Sequence, residues 1–190
     1  HFLDPEDSVF RAILQDGMGY DDCDQQPPLY LNETPWEYLT FVGEAKGLQG
    51  GALRSQIESV MERTKITEMG DRPISALSKG YKQRVGIAQA LLGDPKVVIL
   101  DEPTVGLDPL QIIEIRDLIR QLGEKHTVIL SSHILSEVQA ICDKVLIISH
   151  GKLVAYDDTE KLVANGKTTL ESVFLELTEG QLLDSGEVRA

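Results

Sequence analysis

Apolar positions fall in two rhythms along this chain, and each predicts a different kind of element. The first is helical. Thr34-Pro35-Trp36-Glu37 reads as a helix start, with Thr at the cap, Pro at the first position and Glu at the third. Trp36, Tyr38, Leu39 and Phe41 supply its apolar contacts, and Gly47 to Gly51 breaks it. Ala52 to Met61 resumes the rhythm with Leu53, Ile57, Val60 and Met61 on one side. Further helices follow over Tyr81 to Leu92, Leu110 to Leu122 and Ile134 to Ile141; in the second, apolar residues recur at 112, 115, 119 and 122 with a further row at 113 and 118.

The second rhythm is the short unbroken apolar run: Val97 to Leu100, Thr127 to Leu130 and Lys144 to Ser149. Val97 to Leu100 and Thr127 to Leu130 flank the Leu110 helix. A strand–helix–strand unit with apolar strands predicts a parallel sheet, a right-handed crossover and strands buried on both faces. His150-Gly151 then turns the third run into Lys152 to Tyr156 as an antiparallel return.

The ends are less regular. Val9 to Leu14 suits a strand or one helical turn, Asp21-Asp22-Cys23-Asp24 a solvated acidic loop, and Gln25 to Tyr30, with two prolines, an extended segment. Gly166-Lys167-Thr168-Thr169 imitates the end of a phosphate-binding loop, but that pattern needs Gly where Lys161 stands. Thr168 with Glu171 reads instead as a capping box for a helix carrying Leu170, Val173, Phe174 and Leu177, followed by a polar tail from Gly180.

Composition narrows the function. The 190 residues suffice for one substantial core with a small subdomain. A net charge of −13 argues against nucleic acid or anionic lipid as a partner. It leaves a phosphate ligand open, because local amides and one Lys matter more there than the total. Cys23 and Cys142 are far apart and outside any CxxC spacing, so a disulfide framework or zinc site is not expected and a reducing cytosol fits. No run approaches the roughly 18 apolar residues of a membrane span, so work at a membrane would proceed by docking.

The candidate chemistry lies between Leu77 and Pro109. The Val97 run ends in Asp101-Glu102, which such a strand delivers to the carboxyl edge of its sheet, where open α/β folds bind ligands. His133, three residues beyond the Thr127 run, falls at that same edge. Ser78-Lys79-Gly80 opens a helix whose positive end suits a phosphate.

These stretches resemble the ATP-binding cassette (ABC) ATPases. Leu77-Ser78-Lys79-Gly80-Tyr81 is similar to their LSGGQ signature, with Lys for the first paired Gly and Tyr for Gln. Val97 to Glu102 resembles the Walker B strand, Gly106-Leu107-Asp108 the D-loop and His133 the H-switch. Each match is weak alone; together, in this order and spacing, they are specific. Ser132 to Tyr156 further resembles the ATPases of multidrug, gliding-motility and related bacterial exporters.

The resemblance, covering nearly all of 25–178, implies a P-loop NTPase-like α/β fold, a parallel sheet flanked by helices with a small helical subdomain. It divides the chain into a nucleotide-core remnant over 1–28, the helical subdomain over 29–76, the ATPase core over 77–157 and a C-terminal helix and tail over 158–190. It implies ATP and Mg²⁺ as ligands. Asp101 would hold magnesium, with Gln25 (or, failing that, Gln26) sensing the metal and the attacking water. Glu102 would be the general base and His133 would contact the γ-phosphate. Ser78, Lys79, Gly80 and Tyr81 would face the ATP of a second ATPase subunit, and Asp108 would signal across that interface. Partners would be this second subunit, in a homodimer, and transmembrane permease subunits, with the chain peripheral on the cytoplasmic face of the cell membrane. Residues 1–24 contain no Walker A loop, so the N-terminal P-loop and β-subdomain are missing from the stretch and are expected upstream of it. A soluble non-transport cassette, or a degenerate one that does not hydrolyse ATP, is the alternative.

Overall fold

The structure, a computed structural model, describes residues 29–164 and 166–184. The expectations for Val9 to Leu14, the acidic stretch Asp21 to Asp24, Gln25 and Gln26 lie outside them.

Pro35–Ala45 forms α1 and Gly50–Arg63 forms α2. The start of α1 is a full capping box: Glu37 N–H donates to Thr34 Oγ1 at 3.2 Å, and Thr34 N–H donates to Glu37 Oε2 at 2.9 Å. Leu53, Ile57, Val60 and Met61 are the buried stripe of α2. Phe41 is not the core residue the helical pattern suggests; it is 54% exposed and sits edge-on to Tyr30. Short 3₁₀ turns at Thr67–Met69 and Ile74–Ala76 lead into α3, Lys79–Leu91. Lys46 ties α1 to the far end of α3, donating to the carbonyls of Gln89 and Leu92, which suits a cation beside a helix C-terminus.

Val97–Asp101 (β1) pairs in parallel with Thr127–Ser131 (β2), and Pro109–Gly123 (α4) connects them. Their register sets Asp101 opposite Ser131. Leu135–Ile141 (α5) leads to an antiparallel pair, Lys144–Ser149 (β3) and Lys152–Asp158 (β4). The chain closes with Thr159–Leu162 (α6) and Leu170–Asp184 (α7).

One hydrophobic core joins α1, α2, α3, β1 and α4 around Leu39, Ile57, Ile87, Val98 and Ile115. A second lies under β3, where Val145 and Ile147 meet Val163 and Leu170. The strands are not buried on both faces. Ile99 is 57% exposed and Val128, Ile129 and Leu130 are half-buried, because each sheet is two-stranded among the described residues, and apolar side chains on the uncovered face remain exposed there.

Two boundaries also move. The cap of α7 is Thr169, whose hydroxyl accepts from Ser172 N–H at 3.3 Å, so Thr168 belongs to the preceding turn. Helix continues to Asp184, past the Gly180 at which a polar tail was expected.

Candidate functional site

The parallel register decides where the acidic pair goes. Asp101 ends β1 beside Ser131, whose hydroxyl donates to the Asp101 carboxylate. Glu102 continues one step past the ladder: its N–H donates to the Ser131 carbonyl at 3.2 Å and lies 3.3 Å from Ser131 Oγ. Its backbone sits at φ 44°, a left-handed conformation costly for a residue with a Cβ and one that concentrates at functional sites. The bend sends its side chain across the sheet end towards the segment after β2.

There Glu102 Oε1 takes two contacts from one residue. The backbone N–H of His133 donates to it at 3.0 Å, and His133 Nδ1 stands 2.8 Å away. The imidazole is largely exposed while the carboxylate is only 22% exposed. Glu102 Oε2 is buried and has no hydrogen-bond partner. A buried carboxylate oxygen without a donor is costly.

The head of α3 forms a neighbouring cluster. Ser78 caps it, its hydroxyl accepting from Tyr81 N–H at 3.4 Å. The Lys79 ammonium packs over Gly106, in the turn after Glu102, filling the space that a Cβ there would take. Gly80 faces Gln111 on α4, whose amide lies 2.7–2.9 Å from where its Cβ would stand. Asp108 caps α4, its Oδ1 accepting from the N–H groups of Leu110 and Gln111 at 3.1 and 3.0 Å. Tyr81 is half-buried against the main core.

The structure therefore brings Asp101, Glu102 and His133 to one sheet edge. It gathers Ser78, Lys79, Gly80 and Asp108 at the heads of α3 and α4, joined to that edge by residues 102–108. Gln25 and Gln26 lie outside the described residues. Sequence reasoning passed over Ser131, although its position was readable: it ends the second apolar run as Asp101 ends the first. It also passed over Thr104 and Glu137, a buried pair in which the Thr104 hydroxyl donates to Glu137 Oε2. A Glu one helical turn past His133 carries no periodic signal of burial.

Among the described residues no group of His, Cys, Asp and Glu could by itself cage a metal ion. The edge suits magnesium carried on a phosphate, because that ion keeps waters and needs only one or two protein carboxylates. Asp101 is the exposed carboxylate at that edge.

A family model described as "ABC transporter" matches residues 5–105, more than half of the chain. The chain belongs to the ABC transporter family. This match begins upstream of Gln25, where the motif likeness starts, and takes in Ser78 to Tyr81, Asp101 and Glu102. Among ABC relatives, the uncharacterized ABC transporter ATP-binding protein YxlF of Bacillus subtilis (strain 168) is 34% identical over 167 residues, 87% of this chain and 57% of that protein. The lantibiotic transport ATP-binding protein SrtF of Streptococcus pyogenes is 38% identical over 142 residues, 73% of this chain and 60% of that protein. The solved structure of cbiO1 from Clostridium perfringens, part of the ABC transporter complex cbiONQ, aligns with a TM-score of 0.69 at 31% identity, over 84% of this chain and 65% of that one. The chain thus spans between half and two thirds of the length of these relatives, and its fold is that of ABC ATPase nucleotide-binding domains.

Proposed function

We propose that this chain is the later part of an ATP-hydrolysing subunit that drives export through a membrane permease. The observation that carries the reading is the state of Glu102: one carboxylate oxygen is held by His133 and the other is buried without a donor. A carboxylate so arranged is held in place at the sheet edge beside the segment that follows β2.

In this reading the chain's own residues do four things. The Glu102 carboxylate takes a proton from the attacking water, raising its nucleophilicity as it adds to the γ-phosphorus and ADP leaves. His133, anchored through Nδ1 and its backbone N–H, keeps the carboxylate aimed and turns the far side of its ring to the γ-phosphate. Asp101, oriented by Ser131, would hold magnesium, and that ion would withdraw charge from the phosphates. The head of α3, with Ser78 and Gly80, presents a positive helix end to the ATP of a second subunit.

The phosphate-cradling loop would come from sequence upstream of residue 1, with Gln25 or Gln26 completing the metal side. Residues 29–76 would be the helical subdomain that meets the permease, 77–157 the ATPase core and 158–190 an appended helix. Export direction is supported by the likeness of 132–156 to exporter ATPases. A peripheral place on the cytoplasmic face follows from work with a permease, and no described helix is long and apolar enough to cross a membrane.

The test is phosphate release from Mg-ATP by the full-length protein, with and without its permease. Turnover that disappears on chelating magnesium and falls roughly a hundredfold or more in Glu102→Gln is expected, the scale of losing a general base. Wild-type turnover at the same rate as Glu102→Gln would defeat the proposal.

A further inference from the structure

Two segments meet at the candidate site, 101–108 and 131–141, and beyond the Asp101–Ser131 pair at the end of the ladder they are joined by two further side-chain rungs. The outer rung is Glu102–His133, at the solvent edge, where the imidazole side chain is 66% exposed. The inner rung is Thr104–Glu137, with Thr104 2% and Glu137 8% exposed. The spacing is two residues on one segment and four on the other, so both rungs are one short turn deep.

Hydrogen-bonded turns run along each segment. Val105 N–H donates to the Glu102 carbonyl at 3.3 Å, and Leu107 N–H to the Thr104 carbonyl at 3.2 Å. Across from them Ile134 N–H donates to Ser132 Oγ at 3.1 Å, and Glu137 N–H to the Ile134 carbonyl at 3.0 Å. A displacement at the inner rung is therefore passed to the outer one through hydrogen-bonded turns.

The two rungs differ in what environment does to them. A contact to an exposed imidazole competes with water, whereas a charge-assisted hydrogen bond between buried groups is stronger, and losing its donor leaves a buried carboxylate unsatisfied. From this juxtaposition we infer that Glu137 is a positioning residue: through Thr104 it fixes the distance between the Glu102 turn and the His133 turn, and so aims the Glu102 carboxylate. The inference rests on the assignment of Glu102 as general base for its kinetic consequence, but not for its structural one.

The experiment uses the full-length protein and four variants: Thr104→Val, Thr104→Ser, Glu137→Ala and Glu137→Gln. Misplacing a reacting group by about 1 Å costs up to about a hundredfold in rate, so Thr104→Val and Glu137→Ala should lower kcat about ten- to a hundredfold with KM for ATP unchanged. Thr104→Ser and Glu137→Gln, which keep a donor and an acceptor, should restore most of it. The double variant Thr104→Val/Glu137→Ala should be no slower than the slower single one, as for a pair acting through one bond. An additive double variant, or parallel loss in kcat and KM, would overturn the inference.

A second readout needs no turnover. In the nucleotide-free protein the His133 ring resonances of Thr104→Val should move onto those of Glu102→Gln, because both changes release the ring from its carboxylate. Ring resonances identical to wild type in Thr104→Val would overturn the inference whatever the ATPase result. Should Glu137→Ala fail to fold, Thr104→Val, which exchanges a hydroxyl for a methyl, carries both readouts. A wild type without ATPase activity would remove the proposed function, and the resonances would still decide the positioning role.

Discussion

Lys79, on the first turn of α3, lays its ammonium against Gly106, in the turn that follows β1. The contact joins the head of the signature-like helix to the loop that carries Glu102 at one end and Asp108 at the other. Gly106 also has φ 69°, a conformation that costs residues with a Cβ roughly 1–2 kcal/mol.

Backbone strain makes Gly106→Ala destabilising by about 1–2 kcal/mol, while the Lys79 ammonium, at the end of a flexible side chain, swings aside at little cost. The loss should therefore be about the same in a Lys79→Ala background. Urea unfolding of the four proteins of this double-mutant cycle measures the difference.

Arg84 is buried on α3 and reaches two other elements: its guanidinium donates to the Thr64 carbonyl at 3.1 Å and to Glu114 Oε2 at 2.5 Å. It ties the end of α2 to α4. Removing its acidic partner in Glu114→Ala leaves a buried cation with only part of its hydrogen bonding, and should cost about 2 kcal/mol. Glu114→Gln, which keeps an acceptor, should cost less; denaturant midpoints at constant slope give the comparison.

The far end of the chain has a pH signature. Asp158 accepts from Lys144 at 2.7 Å and pairs with Lys161 at 2.7 Å, and these lysines lower its carboxyl from the usual 3.8 to about 2. Because the folded state holds the proton more weakly than the unfolded chain, the pair's contribution is complete above about pH 4 and is lost as pH falls towards about 2. Asp158→Asn should therefore melt below wild type at neutral pH, and the two melting curves should converge near pH 2.

Cys142 behaves in the opposite sense. Burial, with Asp143 adding to it, pushes its thiol up from 9.0 to about 11. The thiolate is the reactive form, so Cys142 should stay unmodified by iodoacetamide at pH 8 in the folded protein and react once urea unfolds it. Mass analysis of the peptide that contains it reads the outcome.

Much of this architecture was legible because periodicity and chemistry agreed. Thr34, Pro35 and Glu37 announced α1, and structure returned the capping box. The runs at Val97 and Thr127 announced parallel strands, and that pairing brought Glu102 within reach of His133, a contact between residues 31 apart. Where burial was misread the cause is physical. Val97 to Leu100 is apolar throughout, so its pattern cannot tell a strand covered on both faces from one covered on a single face; Ile99 shows the difference. Thr168 and Thr169 are equivalent as caps until Leu170 begins the helix. Thr104 and Glu137 act through tertiary neighbours, and short-range spacing does not encode tertiary neighbours of polar side chains.

The central claim is that Glu102, fixed by His133, faces the γ-phosphate of an ATP shared with a second subunit. The direct measurement is a structure of full-length Glu102→Gln with Mg-ATP. Two copies enclosing two nucleotides are expected, each γ-phosphate lying between residue 102 and His133 of one copy and Ser78 and Gly80 of the other. A nucleotide bound away from residue 102 and His133, or γ-phosphates that no second copy's Ser78 approaches, would contradict it.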